Sequence, residues 1–156
     1  MGDTTISIDS ATITFSETEW KSLLNSPFII FLAVAVADGK LDKKEAERFA
    51  KILAEAGKYR CPILSRILAE ALPHFMEFIN GLLSGKINPL KELMTVTDLA
   101  DARLSANDAK IFKLSLMSIA KEIAESSGGF LGFGSKISKD EMKVINSIAA
   151  TLKLAA

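Results

Sequence analysis

The chain lacks most of what catalysis and long-range binding draw on. It has one cysteine, Cys61, so no internal disulfide can form. It has one histidine, His74, so a histidine-based triad or zinc cluster has at most one such member. Net charge is absent too: 19 basic residues cancel 19 acidic ones, which argues against broad electrostatic binding of nucleic acid. The longest apolar run, residues 27–37, falls far short of the roughly 20 residues that span a bilayer. Residues 1–6 have neither the basic start nor the apolar core of a signal peptide, and Ile6 breaks the myristoylation pattern. A soluble cytoplasmic protein with no transmembrane segment is the expectation.

What is present is a globular composition, 49% hydrophobic and 24% charged, on 156 residues. That length suits one domain with a substantial core. Residues 4–15 alternate with period two and read as two short strands around Asp9-Ser10, a small hairpin that must lie on something larger. Ser16-Glu17-Thr18-Glu19 is a capping box opening a short helix. Ser26-Pro27 then reads as a restart, Ser as cap and Pro at the first helical position, which divides the chain into an extension, 1–26, and a helical unit, 27–156.

Further helices follow over 42–56, over 62–83 with Pro73 kinking or dividing it, from Asn88-Pro89 to about Ala100, from the Ser105 cap onward, and from the box Ser138–Glu141. The fold class expected is all-α: a compact bundle of six to eight helices with a short N-terminal β-hairpin.

The bundle is duplicated internally. Residues 37–46 (Ala-Asp-Gly-Lys-Leu-Asp-Lys-Lys-Glu-Ala) match residues 100–109 (Ala-Asp-Ala-Arg-Leu-Ser-Ala-Asn-Asp-Ala), and residues 136–141 keep the latter half. Each copy reads basic, Leu or Ile, cap, two spacers, carboxylate. Capping alone explains Asp42/Glu45, Ser105/Asp108 and Ser138/Glu141. Asp38 is different, because it ends an apolar helix just before a glycine. With Glu45 across the tight joint, it can hold a hard cation such as Mg²⁺ or Ca²⁺. Further ligands would come from near Glu125 or from the Glu141 helix. The joint is not an EF-hand, because Val34 and Val36 stand where that loop needs oxygen ligands.

The apolar helix, the Ala-Asp-Gly joint with Lys-Leu-Asp-Lys-Lys-Glu, and the second joint ending Ser-Lys-Asp-Glu before a final apolar helix resemble the TerB-like family. That family includes the bacterial tellurite-resistance protein and a domain of some DnaJ-type co-chaperones. The resemblance covers about residues 27–154. It implies an internally duplicated helical fold and a cytoplasmic role in stress response or protein assembly with a protein partner. It also implies metal-binding acidic residues at the joints. By position, Asp38 and Glu45 correspond to the first acidic joint and Glu141 to the second. The second Asp-Gly is missing, and Glu125 to Gly129 stands nearby instead.

Other features carry simpler readings. Cys61 lies between Arg60 and Pro62, where Arg60 and Arg66 can lower its thiol pKa; a small buried cysteine is the plainer reading. His74 reads as a solvated side chain. The glycine-rich 126–134 stretch follows a helix and matches no phosphate-binding spacing. The two-residue-wide stripe on 62–83 admits a lipid or small-hydrophobe carrier, or peripheral membrane contact, although its polar side has few lysines. A small hydrolase using converging carboxylates is the weakest reading. The leading one is a non-enzymatic interaction module, with a divalent cation at an acidic joint.

Overall fold

A computed structural model describes residues 3–8, 11–35, 43–55, 58, 61–77, 80, 88–128 and 139–154. The first joint, with Asp38 and Gly39, lies outside the described residues. So do Ser138, Ile79, Leu83 and residues 129–134 of the glycine-rich stretch.

The chain begins with the expected hairpin, β1 (Thr4–Ile8) antiparallel to β2 (Ala11–Phe15), with Thr5 opposite Thr14 and Ile6 opposite Ile13. Ile6 and Phe15 face inward and are buried, while Thr5, Ser7, Thr12 and Thr14 face out. The hairpin is held by more than its own ladder. The Arg66 guanidinium donates to the Thr5 carbonyl at 3.1 Å and stacks over Trp20, and the Trp20 indole donates to Glu70 at 3.0 Å.

Helix α1 (Glu17–Ala35) opens on the anticipated capping box: the Ser16 N–H donates to Glu19 Oε1 at 2.8 Å, and the Glu19 N–H donates to Ser16 Oγ at 3.1 Å. The expected restart at Ser26-Pro27 does not occur. One helix runs through Pro27, and residue 26 sits inside it. The physical reason is local. Pro27 has no N–H to give the Leu23 carbonyl one turn back. The buried Ser26 hydroxyl donates to that carbonyl instead, at 2.7 Å. Residues 26–35 are then buried without a break, as the apolar run predicts.

Helix α2 (Lys43–Ala54) contributes Phe49, Ile52 and Leu53 to the core. The Phe49 ring is its hub. It stacks on Phe31 at 4.7 Å, meets the edge of Phe28 at 5.4 Å and lies 5.8 Å from Phe75. Pro73 divides the next segment as anticipated: α3 (Pro62–Ala71) gives way to a 3₁₀ turn over Leu72–His74. Helix α4 (Pro89–Arg103) starts with Asn88 as cap, its Oδ1 accepting from the Lys91 N–H. Helix α5 (Ala106–Gly128) starts with Ser105 as cap, its Oγ accepting from the Asp108 N–H at 3.1 Å. Helix α6 (Lys139–Thr151) ends on Lys153, whose φ of 60° closes a turn in which the Leu154 N–H reaches the Ala149 carbonyl.

Among the described residues, six α-helices and a two-stranded hairpin surround one core. Helix α1 is central and packs against α3, α4, α5 and α6. The duplication is visible in the packing, because corresponding helices meet: α1 lies on α4 and α2 lies on α5. Corresponding positions are buried alike, Ile30 with Leu93, Ala33 with Val96, Val34 with Thr97, Phe49 with Phe112 and Leu53 with Leu116.

Replacing Ser26 with Ala leaves a buried carbonyl without a donor and should cost about 1–2 kcal/mol in urea unfolding. In a Pro27→Ala background the residue-27 N–H takes over, and the same change should cost less than about 0.5 kcal/mol. Equal cost in the two backgrounds would show that the hydroxyl does not replace the proline's missing donor.

Candidate functional site

The second helix joint, between α4 and α5, is described in full. Leu104 is buried ahead of the Ser105 cap, as the stapling pattern requires. Arg103 grips Glu19 with both Nη2, at 2.8 and 2.9 Å, and Nε, at 3.2 Å. The same Glu19 that caps α1 therefore also anchors the α4–α5 joint. The Ser16 N–H foremost, and Arg103 after it, hold the Glu19 carboxyl below the usual carboxylate range.

Asp101, the counterpart of Asp38, receives the Lys113 ammonium at 2.6 Å. Lys113 is buried, only 7% exposed, on a helix whose neighbouring positions Phe112 and Leu116 are core. Asp101 and Arg103 of this joint are thus both paired within the molecule. In the first copy, the position matching Lys113 is Ala50, which is half-buried. No internal ammonium stands at that position to answer Asp38.

The other expected ligands are scattered or only partly described. Glu45 lies in the first turn of α2, and its side chain is outside the described residues. Glu125 is exposed near the end of α5, while Glu141 is buried in the first turn of α6, 2% exposed. Among the described residues no group of three His, Cys, Asp or Glu side chains could hold a metal ion.

Cys61 takes the plainer of its two readings. Burial pushes its thiol pKa up rather than down. Arg66, expected to activate it, is committed to Glu70 at 2.6 Å, to Thr5 and to Trp20. His74 is exposed, with Nδ1 3.3 Å from Glu77. On the 62–83 stripe, Ile63, Leu64, Ile67, Leu68 and Ala71 are consumed by the core, whereas Leu72 and Met76 are exposed. No helix among the described residues is long and apolar enough to cross a membrane.

Three polar features were not anticipated from the sequence. Lys113 was one, although its pairing with Ala50 in the repeat marks it as a charge at a core position. The second is Glu122, whose Oε1 takes the Lys58 ammonium at 2.7 Å while its buried Oε2 has no partner among the described residues. The third is Asn25, whose Oδ1 is likewise buried and unpartnered among them. No family model, curated protein or solved structure matches the chain.

Asp101→Asn leaves the Lys113 ammonium buried without its carboxylate and should destabilise by about 1–3 kcal/mol, less than a fully buried pair because Asp101 is partly solvated. Lys113→Met should cost about 1 kcal/mol or less; a larger loss in denaturant unfolding would contradict the pairing. Glu19 has a lowered folded-state pKa, so it stabilises the fold above the unfolded carboxylate pKa, and that contribution disappears as pH falls through the lowered value. Glu19→Gln should therefore flatten the stability profile below about pH 4. A profile parallel to wild type would contradict this.

Proposed function

We propose that the chain is a non-enzymatic helical interaction module of TerB-like type, holding a divalent cation, Ca²⁺ or Mg²⁺, at its first joint for a protein partner. The observation that supports this reading is the divergence of the two copies. In one, the joint aspartate is neutralised by a buried lysine on the following helix. In the other, the lysine position is alanine while the aspartate is retained. A joint aspartate whose copy has alanine where the other copy has its lysine leaves room for a cation from outside. Hard oxygen ligands from Asp38 and Glu45 suit Ca²⁺ or Mg²⁺. On this reading Glu141, inside the bundle, is a capping residue first, and the metal belongs to the Asp38 side alone. The role it supports is one of assembly, in stress response or protein complex formation, with the cation setting the shape of the joint that a partner meets.

Titration calorimetry tests the cation. One site per chain is expected with Ca²⁺ or Mg²⁺, lost in Asp38→Asn and retained in Asp101→Asn. Ala50→Lys, which restores the counter-ion of the other copy, should weaken binding at least about tenfold, or roughly 1.4 kcal/mol. Silence with Ca²⁺, Mg²⁺ and Zn²⁺ alike would remove the cation from the reading.

A further inference from the structure

The hairpin has two outer edges, and they are not equivalent. In an antiparallel ladder, alternate residues turn their backbone groups toward the partner strand and then away from it. Arg66 reaches the Thr5 carbonyl from outside the pair, so Thr5 and Ser7 face outward on β1. Their register partners Thr14 and Thr12 face outward on β2. The β1 edge is occupied by Arg66, with α3 packed beside that strand. On the β2 edge, no backbone hydrogen bond engages Thr12 or Thr14 among the described residues, and both are exposed. Neither strand carries a charge or a proline, the devices that normally protect an open edge.

From this edge we infer that β2 pairs with β2 of a second copy, joining two hairpins into one four-stranded antiparallel sheet across a twofold axis. The occupant is argued from the strand's own sequence. Thr12-Ile13-Thr14 reads the same in both directions. A twofold axis at Ile13 therefore sets Ile13 against Ile13 and Thr12 against Thr14. The outward N–H and C=O groups of both threonines then exchange four hydrogen bonds. The same arrangement exists inside the chain, where Thr14-Ile13-Thr12 already faces Thr5-Ile6-Ser7 and the Thr5 and Thr14 hydroxyls bond at 3.1 Å. A second β2 presents to the free edge nearly what β1 presents to the inner one, and threonine and β-branched pairs are favoured across strands. Because Arg66 and α3 close the other edge, addition stops at four strands and the assembly is a closed dimer rather than a fibre.

Sedimentation velocity from micromolar to millimolar protein tests the pairing. Wild type is expected to pass from monomer to dimer across that range. Thr12→Pro removes an outward donor without touching the intrachain ladder, and the double change Thr12→Lys with Thr14→Lys sets like charges against each other. Both are expected to stay monomeric with an unchanged far-ultraviolet circular dichroism spectrum. Ile13→Cys should form a disulfide-linked dimer on air oxidation, whereas Ser7→Cys, on the closed edge, should not. A wild type that is monomeric throughout, or charge variants that dimerise as wild type does, would overturn the proposal, and so would failure of Ile13→Cys to cross-link. None of these outcomes depends on a bound cation.

Discussion

A helix enclosed by four others must satisfy its own backbone, and that constraint governs this fold. Helix α1 is buried from Ser26 to Ala35, so water cannot repair a missing hydrogen bond there. A carbonyl left bare at such a place costs on the order of 1–3 kcal/mol. Pro27 creates that vacancy, and the adjacent Ser26 hydroxyl fills it at 2.7 Å. The consequence reaches well beyond one turn. Because the helix continues, the capping box at Ser16 and Glu19, the docked hairpin and the apolar run form one rigid element. Everything else packs around it: Phe49 reaches it from α2 between Phe28 and Phe31, and α4, its counterpart in the repeat, lies along it.

The two copies of the repeat match at apolar positions and differ at one buried charge, Lys113 against Ala50. The paired core residues, Phe49 with Phe112 and Leu53 with Leu116, kept both type and burial. Among the paired polar positions the joint aspartate, the basic residue and the later carboxylate keep their sign, while Lys113 stands opposite Ala50. Arg103 was recruited to hold Glu19, and Lys113 to hold Asp101. Both bonds tie the second joint into the body of the protein. Partly buried pairs of this kind contribute modestly to stability, and the costly change is the one that leaves the buried Lys113 ammonium without its carboxylate. The second joint has become a structural hinge pin. The first joint has the sequence Asp38-Gly39 and, at the position matching Lys113, Ala50.

Much of this was legible in the sequence because it rests on local rules. The hairpin followed from period-two alternation, and the Ser16, Asn88 and Ser105 caps from hydroxyl or amide residues at helix starts. The division at Pro73 followed from a ring with no N–H to donate. The misreading at Ser26-Pro27 has an instructive cause. Serine before proline is both a cap-and-start signal and, in a buried helix, a donor beside a missing donor. The two differ only in whether the preceding turn is helical and enclosed, which neighbours from distant sequence decide. The joint's charge pairing was illegible for a similar reason. Lys113 looks like any solvated lysine until α4 and α5 are set side by side. For Asp38 and Glu45, sequence supplied the candidates, and the described geometry bears on them through their counterparts, Asp101 and Asp108.

With one buried cysteine, one exposed histidine and balanced charge, the polar groups of this chain are best read by what answers each of them. The Arg66 guanidinium, which might have activated Cys61, is spent on docking the hairpin. That use of Arg66 also occupies the β1 edge, whereas on the β2 edge no backbone hydrogen bond engages Thr12 or Thr14 among the described residues. A similar difference separates the two joint sequences: Lys113 pairs with Asp101, and Ala50 stands at the matching position of the first copy. In both cases the asymmetry, rather than the exposed group itself, carries the functional meaning. An open strand edge or a lone aspartate is common on protein surfaces. Where one member of an internal pair is closed by a dedicated side chain, the contrast marks the other member as the one to test by substitution.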